Sequence, residues 1–308
     1  MFATYCFGKI FWGGNFMQIK GTLMLLGAAF FWGTTFVAQL TGMDGLGPFS
    51  YAAARYLAGT LSLVAVLIFT RKQRALERRR KNYRRGFLIG LLIGLVLFVA
   101  SSMQQIALQY STAGKAAFIT CLYIVFVPLG AKLLGKIIRR ENWLGAFLAI
   151  VGLYLLAIGE GFSIQLGDAI LFVSAFVWTA QILLVDRFAS RVDLIELSAA
   201  QIFIVMILSF AAMFALETPK LSAMLHAWFP ILYAGVMSSG VAFTLQLYGQ
   251  RYAEPSTAAI LMSFEAIFGA LAGWLLLGEV MTAREIFGCV LMLLGMFAAQ
   301  WSLIKKSL

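Results

Sequence analysis

Ten runs of about 20 predominantly apolar residues divide this 308-residue chain, near 21–40, 49–70, 86–110, 113–134, 143–159, 168–186, 194–216, 227–250, 255–277 and 285–304. A helix rises about 1.5 Å per residue, so each run can cross a hydrocarbon layer roughly 30 Å thick. The expected fold class is therefore all-α and integral to a membrane, with ten transmembrane helices. Hydrophobic residues make up 62% of the chain and charged residues 12%, where soluble domains carry roughly a quarter charged. A soluble core of this length cannot hide that much apolar surface.

The chain is also a duplication. Leu133–Gly152, LLGKIIRRENWLGAFLAIVG, returns as Leu276–Gly295, LLGEVMTAREIFGCVLMLLG, with Glu279 in place of Lys136. The correspondence extends through both halves: Ala29, Phe30 and Trp32 match Ala175, Phe176 and Trp178, and Ala53, Ala54 and Arg55 match Ala199, Ala200 and Gln201. Further along, Gln104 and Tyr110 match Gln246 and Tyr252, and AGKAA at 113–117 matches PSTAA at 255–259. The expected organisation is an N-terminal cytoplasmic segment at 1–20, a first five-helix repeat at 21–160 and a second at 167–304. Five is an odd number, so the second copy enters the membrane from the opposite face. Inverted repeats of this kind are typical of secondary transporters.

The cations give the orientation. The loops on the side shared with the termini hold most of the 24 Lys and Arg: Lys9, Lys20, nine in the 71–85 loop, Lys132, Lys136, Arg139, Arg140, Arg187, Arg191, Arg251, Lys305 and Lys306. The opposite side keeps Lys220 and Arg284 among Asp44, Glu160, Asp168, Glu217, Glu279 and Glu285. Cytoplasmic loops collect Lys and Arg, so both termini are expected in the cytoplasm and the protein in the cytoplasmic membrane. Anionic lipid headgroups are the expected partner of the 71–85 loop. The net charge of +11 does not point to nucleic acid, because the cations sit in short loops and follow no binding face. The first 17 residues show no cleavage-like pattern, and Met17 is an equal candidate for the start.

The same reading excludes several functions. Cys6, Cys121 and Cys289 are too scattered for a disulfide framework or a metal site, and His226 is the sole histidine, which rules out a His-based metal centre or triad. No cofactor or metal is expected. A membrane-embedded enzyme needs a convergent acid–base pair or nucleophile, and none is evident. A homodimer is left open.

Polar groups within the spans are the candidate site, since a charge at mid-membrane costs about 2.5–3.5 kcal/mol on insertion scales. Glu265, ten residues past Pro255, lies roughly 15 Å deep at the midplane. Arg55 is roughly 9 Å below the outer end of its span, with Gln104 at similar depth in the third. Lys115 opens the fourth span at the positive end of a helix dipole, so local stability does not explain it. Two readings stand side by side. Glu265 is neutral or ion-paired with Arg55 or Lys115 to hold helices together, and Lys115 snorkels to the interface; or Arg55 and Lys115 form a cationic pole for a substrate anion while Glu265 reads a substrate amine or takes the coupling proton. Trp32 and Trp178, matched and near mid-depth, are packing residues or walls for the substrate. Gln201 and Gln246 complete the substrate-binding set as partners of Arg55 and Gln104 in the duplication. Pro128 is expected to bend the fourth span.

Taken as a set, AFFWGTTFVAQ at 29–39, QQIALQYSTAGKAAFIT at 104–120, PSTAAILMSFEAIFGALAGWLLLGE at 255–279 and the paired LLGK and LLGE segments resemble the EamA-type members of the drug/metabolite transporter superfamily over about residues 21–304. The resemblance implies alternating access across a central cavity lined mainly by the third, fourth, eighth and ninth helices, and a lining role for Gln104, Lys115, Gln246 and Glu265. It implies small polar metabolites as substrates, amino acids moved outward among them. The alternative is a flippase for a lipid-linked sugar or precursor, whose cavity would be polar too.

Overall fold

A backbone that crosses hydrocarbon has no water to bond, so it must close its hydrogen bonds within the segment. Helices do this here, and the described residues include no strand. The computed structural model describes residues 16–70, 83–110, 113–157, 165–278 and 281–305. The 71–82 stretch of the basic loop, Lys9, Glu160, Glu279 and Lys306 lie outside the described residues.

The first stretch comprises α1 (Phe16–Gly42), α2 (Pro48–Phe69), α3 (Tyr83–Ala107), α4 (Ala113–Thr120), α5 (Tyr123–Leu133) and α6 (Arg140–Ala157). The second comprises α7 (Leu166–Phe188), α8 (Leu194–Leu216), the short α9 (Leu221–His226), α10 (Trp228–Tyr233), a π-helical segment (Ala234–Ala242), α11 (Phe243–Gln250), α12 (Pro255–Met262), α13 (Glu265–Leu277) and α14 (Ala283–Lys305). Boundaries follow local chemistry. Asp193 caps α8 by accepting from the Ile195 and Glu196 amides, each at 3.0 Å. Pro48 and Pro255 stand in the first turns of α2 and α12, where a missing N–H is harmless. Gly278, at φ +69°, closes α13 in the left-handed conformation.

Among the described residues, nine helical spans are long and apolar enough to cross a membrane, so the chain is a multi-pass integral membrane protein. The expected fifth span, 143–159, is not among them. Its helix, α6, opens on Arg140, Glu141 and Asn142, which lower its hydropathy, and the residues following Ala157 lie outside the described set.

Three expected spans are not uniform helices. The 113–134 span breaks between α4 and α5, and the 255–277 span breaks between α12 and α13. At both breaks the chain tightens into i→i−3 bonds: Leu122 N to Ile119 O and Ile124 N to Cys121 O in one, Phe264 N to Leu261 O and Ala266 N to Ser263 O in the other. Pro128 is not the cause, because it lies inside α5 and the second break has no proline. The 227–250 span contains the π segment, where Gly235 lies against the Arg55 carbonyl and Ala58, and Gly240 against Ser62.

The packing follows one pattern twice. α1 lies along α12 and α13, as α7 lies along α4 and α5; α2 packs on the π segment, as α8 packs on α3; α1 also meets α11, as α7 meets α3. Glycines set the closest approaches. A Cβ on Gly145 would stand 2.7 Å from the Gly295 carbonyl oxygen, and one on Gly295 2.7 Å from that of Gly145. Gly152 and Gly288 repeat this at 2.4 and 2.5 Å, so α6 and α14 cross antiparallel, backbone on backbone. Gly90 and Gly94 let α3 approach α8 in the same way.

Candidate functional site: a central cavity

The helices enclose a cavity at mid-membrane, walled by residues from α1, α2, α3, α7, α11 and the two broken spans. Its volume is about 50 Å³, room for a few water molecules. Six of the expected site residues meet on its wall: Trp32, Arg55, Gln104, Trp178, Gln246 and Glu265. Lys115 stands in the first turn of α4, with its side chain outside the described set. Gln201 departs from expectation. It is fully buried on α8 against the backbone approach of Gly94, it does not reach the cavity, and neither atom of its amide has a hydrogen-bond partner.

Arg55 and Glu265 are both buried, at 6% and 8% exposure, and neither forms an ion pair among the described residues. The Arg55 guanidinium donates to the Tyr56 hydroxyl at 2.8 Å and lies 4.6 Å from the Tyr56 ring centroid and 6.0 Å from that of Tyr51. Ring faces attract a cation, which offsets part of the burial. Its Nε has no partner. The Glu265 carboxylate accepts from the Cys121 thiol and the Tyr123 hydroxyl, each at 3.4 Å. No ion pair joins Glu265 to Arg55 among the described residues, and the side chain of Lys115, the other expected counterion, lies outside them; two neutral donors face Glu265. Both come from the break that parts α4 from α5, and Glu265 itself opens α13 at the matching break. Tyr123 is the residue the duplication equates with Glu265, so the two equivalent positions touch.

The aromatic wall is continuous. Phe243 meets the Trp32 ring edge-on, with centroids 5.1 Å apart, and lies parallel to Trp178 within 7° at 6.5 Å. Both indole Nε1 atoms and the Thr120 hydroxyl are buried without hydrogen-bond partners. The cavity lining thus combines a cation, a carboxyl group and flat apolar rings. Sequence reasoning missed Phe243, Tyr56 and Cys121 on or beside this wall. Nothing in an apolar span marks them, whereas Gln39, which also lines the cavity, was legible as a polar residue within the first span.

The chain matches the EamA-like transporter family over residues 19–158 and again over 165–299. It is similar to an uncharacterized transporter of Archaeoglobus fulgidus, 29% identical over 90% of this chain and 85% of the relative. It is also similar to the uncharacterized transporter YoaV of Bacillus subtilis, 22% identical over 94% and 99%, and to the uncharacterized inner membrane transporter YedA of Escherichia coli K12, 25% identical over 91% and 94%. One crystal structure superposes with a TM-score of 0.75 at 20% identity, covering 92% of this chain and 96% of that one, a likeness of fold.

Proposed function

The chain belongs to the EamA-like transporter family, and on that premise we propose that it is a secondary transporter moving a small polar metabolite across the cytoplasmic membrane by alternating access through the central cavity. The observation that carries this is a buried Arg55 and a buried Glu265 on one cavity wall, neither ion-paired with the other or with any other described side chain. A structural ion pair would have matched them, since an uncompensated charge in the membrane costs about 2.5–3.5 kcal/mol on insertion scales. A substrate bearing a carboxylate or similar anion meets the need of Arg55. Glu265 then faces the substrate's amine or carries the proton that couples transport to a gradient. The rings of Trp32, Phe243 and Trp178 hold the body of the molecule, and Gln104 and Gln246 supply amides towards its two ends. Amino acids, exported from the cell, are the substrate class that fits these groups together.

The duplicated chain supplies the moving parts. The exchanged packing of α1 with α12 and α13 and of α7 with α4 and α5, and the reciprocal glycine crossing of α6 and α14, support two five-helix repeats of opposite orientation, with α6 as the fifth span that brings the nine to ten. Such a pair rocks about a fixed central site. A cavity of about 50 Å³ is too small for a metabolite, so loading requires the helices to part. The charge distribution of the loops supports cytoplasmic termini.

Proteoliposome counterflow with a panel of amino acids, sugars and phosphates, with and without a pH gradient, tests the reading. The expected outcome is transport of a zwitterionic or anionic solute that Arg55→Gln abolishes. Glu265→Gln is expected to abolish transport, or its dependence on the gradient, while membrane insertion persists. Undiminished, fully pH-dependent transport by Glu265→Gln would overturn the role given to Glu265, and transport confined to a lipid-linked sugar would favour a flippase.

A further inference from the structure

One helical turn separates the central cavity from a depression on the face that carries the loop cations. α11 brings Gln246 to the cavity wall and Gln250, four residues on and about 6 Å along the axis, to the depression. Lys136, Asp186, Arg251 and Glu254 surround the depression. Apolar residues of the same turns, Ile182, Val185 and Leu247, pack between the two spaces, and buried amides lie among them. Gln181 of α7, wholly buried, exchanges amide hydrogen bonds with Gln246: each Nε2 donates to the other's Oε1, at 3.4 and 3.0 Å. Beside it, Gln250 Nε2 donates to the Ile182 carbonyl at 3.0 Å, while Gln250 Oε1 is buried with no partner. The hydroxyl of Ser256, at the start of α12 and also on the depression, is buried and unpartnered as well.

A permanent helix contact in a membrane is served by small residues and also by polar side chains that hydrogen-bond across the helices, so position and not residue type sets this pair apart. These amide bonds stand between two polar spaces, where water or a polar solute can replace them at a net change of about 0.5–1.5 kcal/mol each. The repeat adds a second, independent sign. Gln104, the counterpart of Gln246, lines the same cavity, and its side-chain amide forms no hydrogen bond among the described residues, although its carbonyl accepts from Leu108 N. Among the described residues the same side-chain amide is paired at one of two equivalent positions and unpaired at the other.

We propose that the seam between α7 and α11 is the passage from the basic face to the cavity, and that the Gln181–Gln246 amide pair, with Gln250 beneath it, is its gate, closed in this conformation. The proposal rests on the transport reading of the cavity and identifies its access control. Gln181 does not line the cavity and acts through Gln246, so it is a positioning residue. The passage suits solutes with both donors and acceptors, which can take over the amide bonds as they part.

Thiol accessibility tests this without any substrate, so its failure is distinct from failure of the transport assay. Gln250→Cys is treated with a membrane-impermeant cationic methanethiosulfonate in vesicles of both orientations, and labelling is read peptide by peptide by mass spectrometry. Ser190→Cys, exposed on the rim of the depression, marks the vesicles that present the basic face. With Gln181 intact the thiol at position 250 reacts slowly. Gln181→Ala is expected to speed its labelling about tenfold, as the loss of two buried hydrogen bonds allows, and from the basic face alone. The native Cys121 beside Glu265 should come into reach from that same face. Gln181→Met, close in shape but unable to bond, should act alike. Leu153→Cys, buried at the crossing of α6 and α14, should stay protected. Unchanged labelling at position 250 in both Gln181 variants, an equal gain from both faces, or a matching gain in Leu153→Cys overturns the gate.

Discussion

Glu217 ties two helices together with one side chain. It ends α8, yet its carboxylate accepts from the Phe49 and Ser50 amides, each at 2.8 Å, and from the Ser50 hydroxyl at 2.6 Å, at the start of α2. α2 has no side-chain cap of its own, so a residue far along the chain satisfies its free N–H groups. Glu217→Ala should cost about 1 kcal/mol, the usual worth of an N-cap, and lower the melting temperature in detergent by a few degrees. Glu217→Gln, which keeps one acceptor, should fall between. At this scale the sequence tells depth better than direction. Rise per residue puts Trp32, Trp178 and Glu265 near mid-membrane and Arg55 and Gln104 nearer the outer end, the duplication adds Gln246, and all six do line the cavity. It could not turn Gln201 away from the cavity, because helices apolar on every side carry no polar face to fix their rotation. For the same reason Gln181 stayed hidden, although a buried amide one turn from Trp178 is visible in hindsight.

Nine of the ten expected spans were readable from apolar runs alone, but their interruptions were not. The breaks at 121–122 and 263–264 carry no glycine or proline, and the π segment is fixed by how closely Gly235 and Gly240 approach α2. Tertiary contact decides such features, and local propensity only permits them. Glycine substitutions separate the two influences. Gly152→Ala places a methyl 2.4 Å from the Gly288 carbonyl oxygen and should destabilise by about 1–3 kcal/mol, as overpacking does. In Gly86→Ala the nearest atom is Val192 Cβ at 3.5 Å, an ordinary contact. That variant should melt at or above the parent temperature, since alanine restricts the unfolded chain. Fluorescence-detected size-exclusion after a heat step compares the two directly.

For the molecule as a whole, charge is distributed by face. The Lys136–Asp186 pair and the Arg139–Glu254 pair, the latter at 2.6 Å, both lie around the depression, where α7, α11 and the start of α12 converge. Exposed pairs of this kind contribute little to stability, about 0–1 kcal/mol, but they lie on the side where the loop cations gather. With that face in the cytoplasm, green fluorescent protein fused after Leu308 should fluoresce and alkaline phosphatase fused there should be inactive; the reverse pattern would invert the orientation. The crossing of α6 and α14 bears on how such a chain tolerates change. At all four glycines the obstructing atom is a partner's main-chain oxygen, which no substitution removes, and glycine has no smaller replacement. A lesion there therefore has no local suppressor: genetic reversion must restore the original glycine or shift an entire helix.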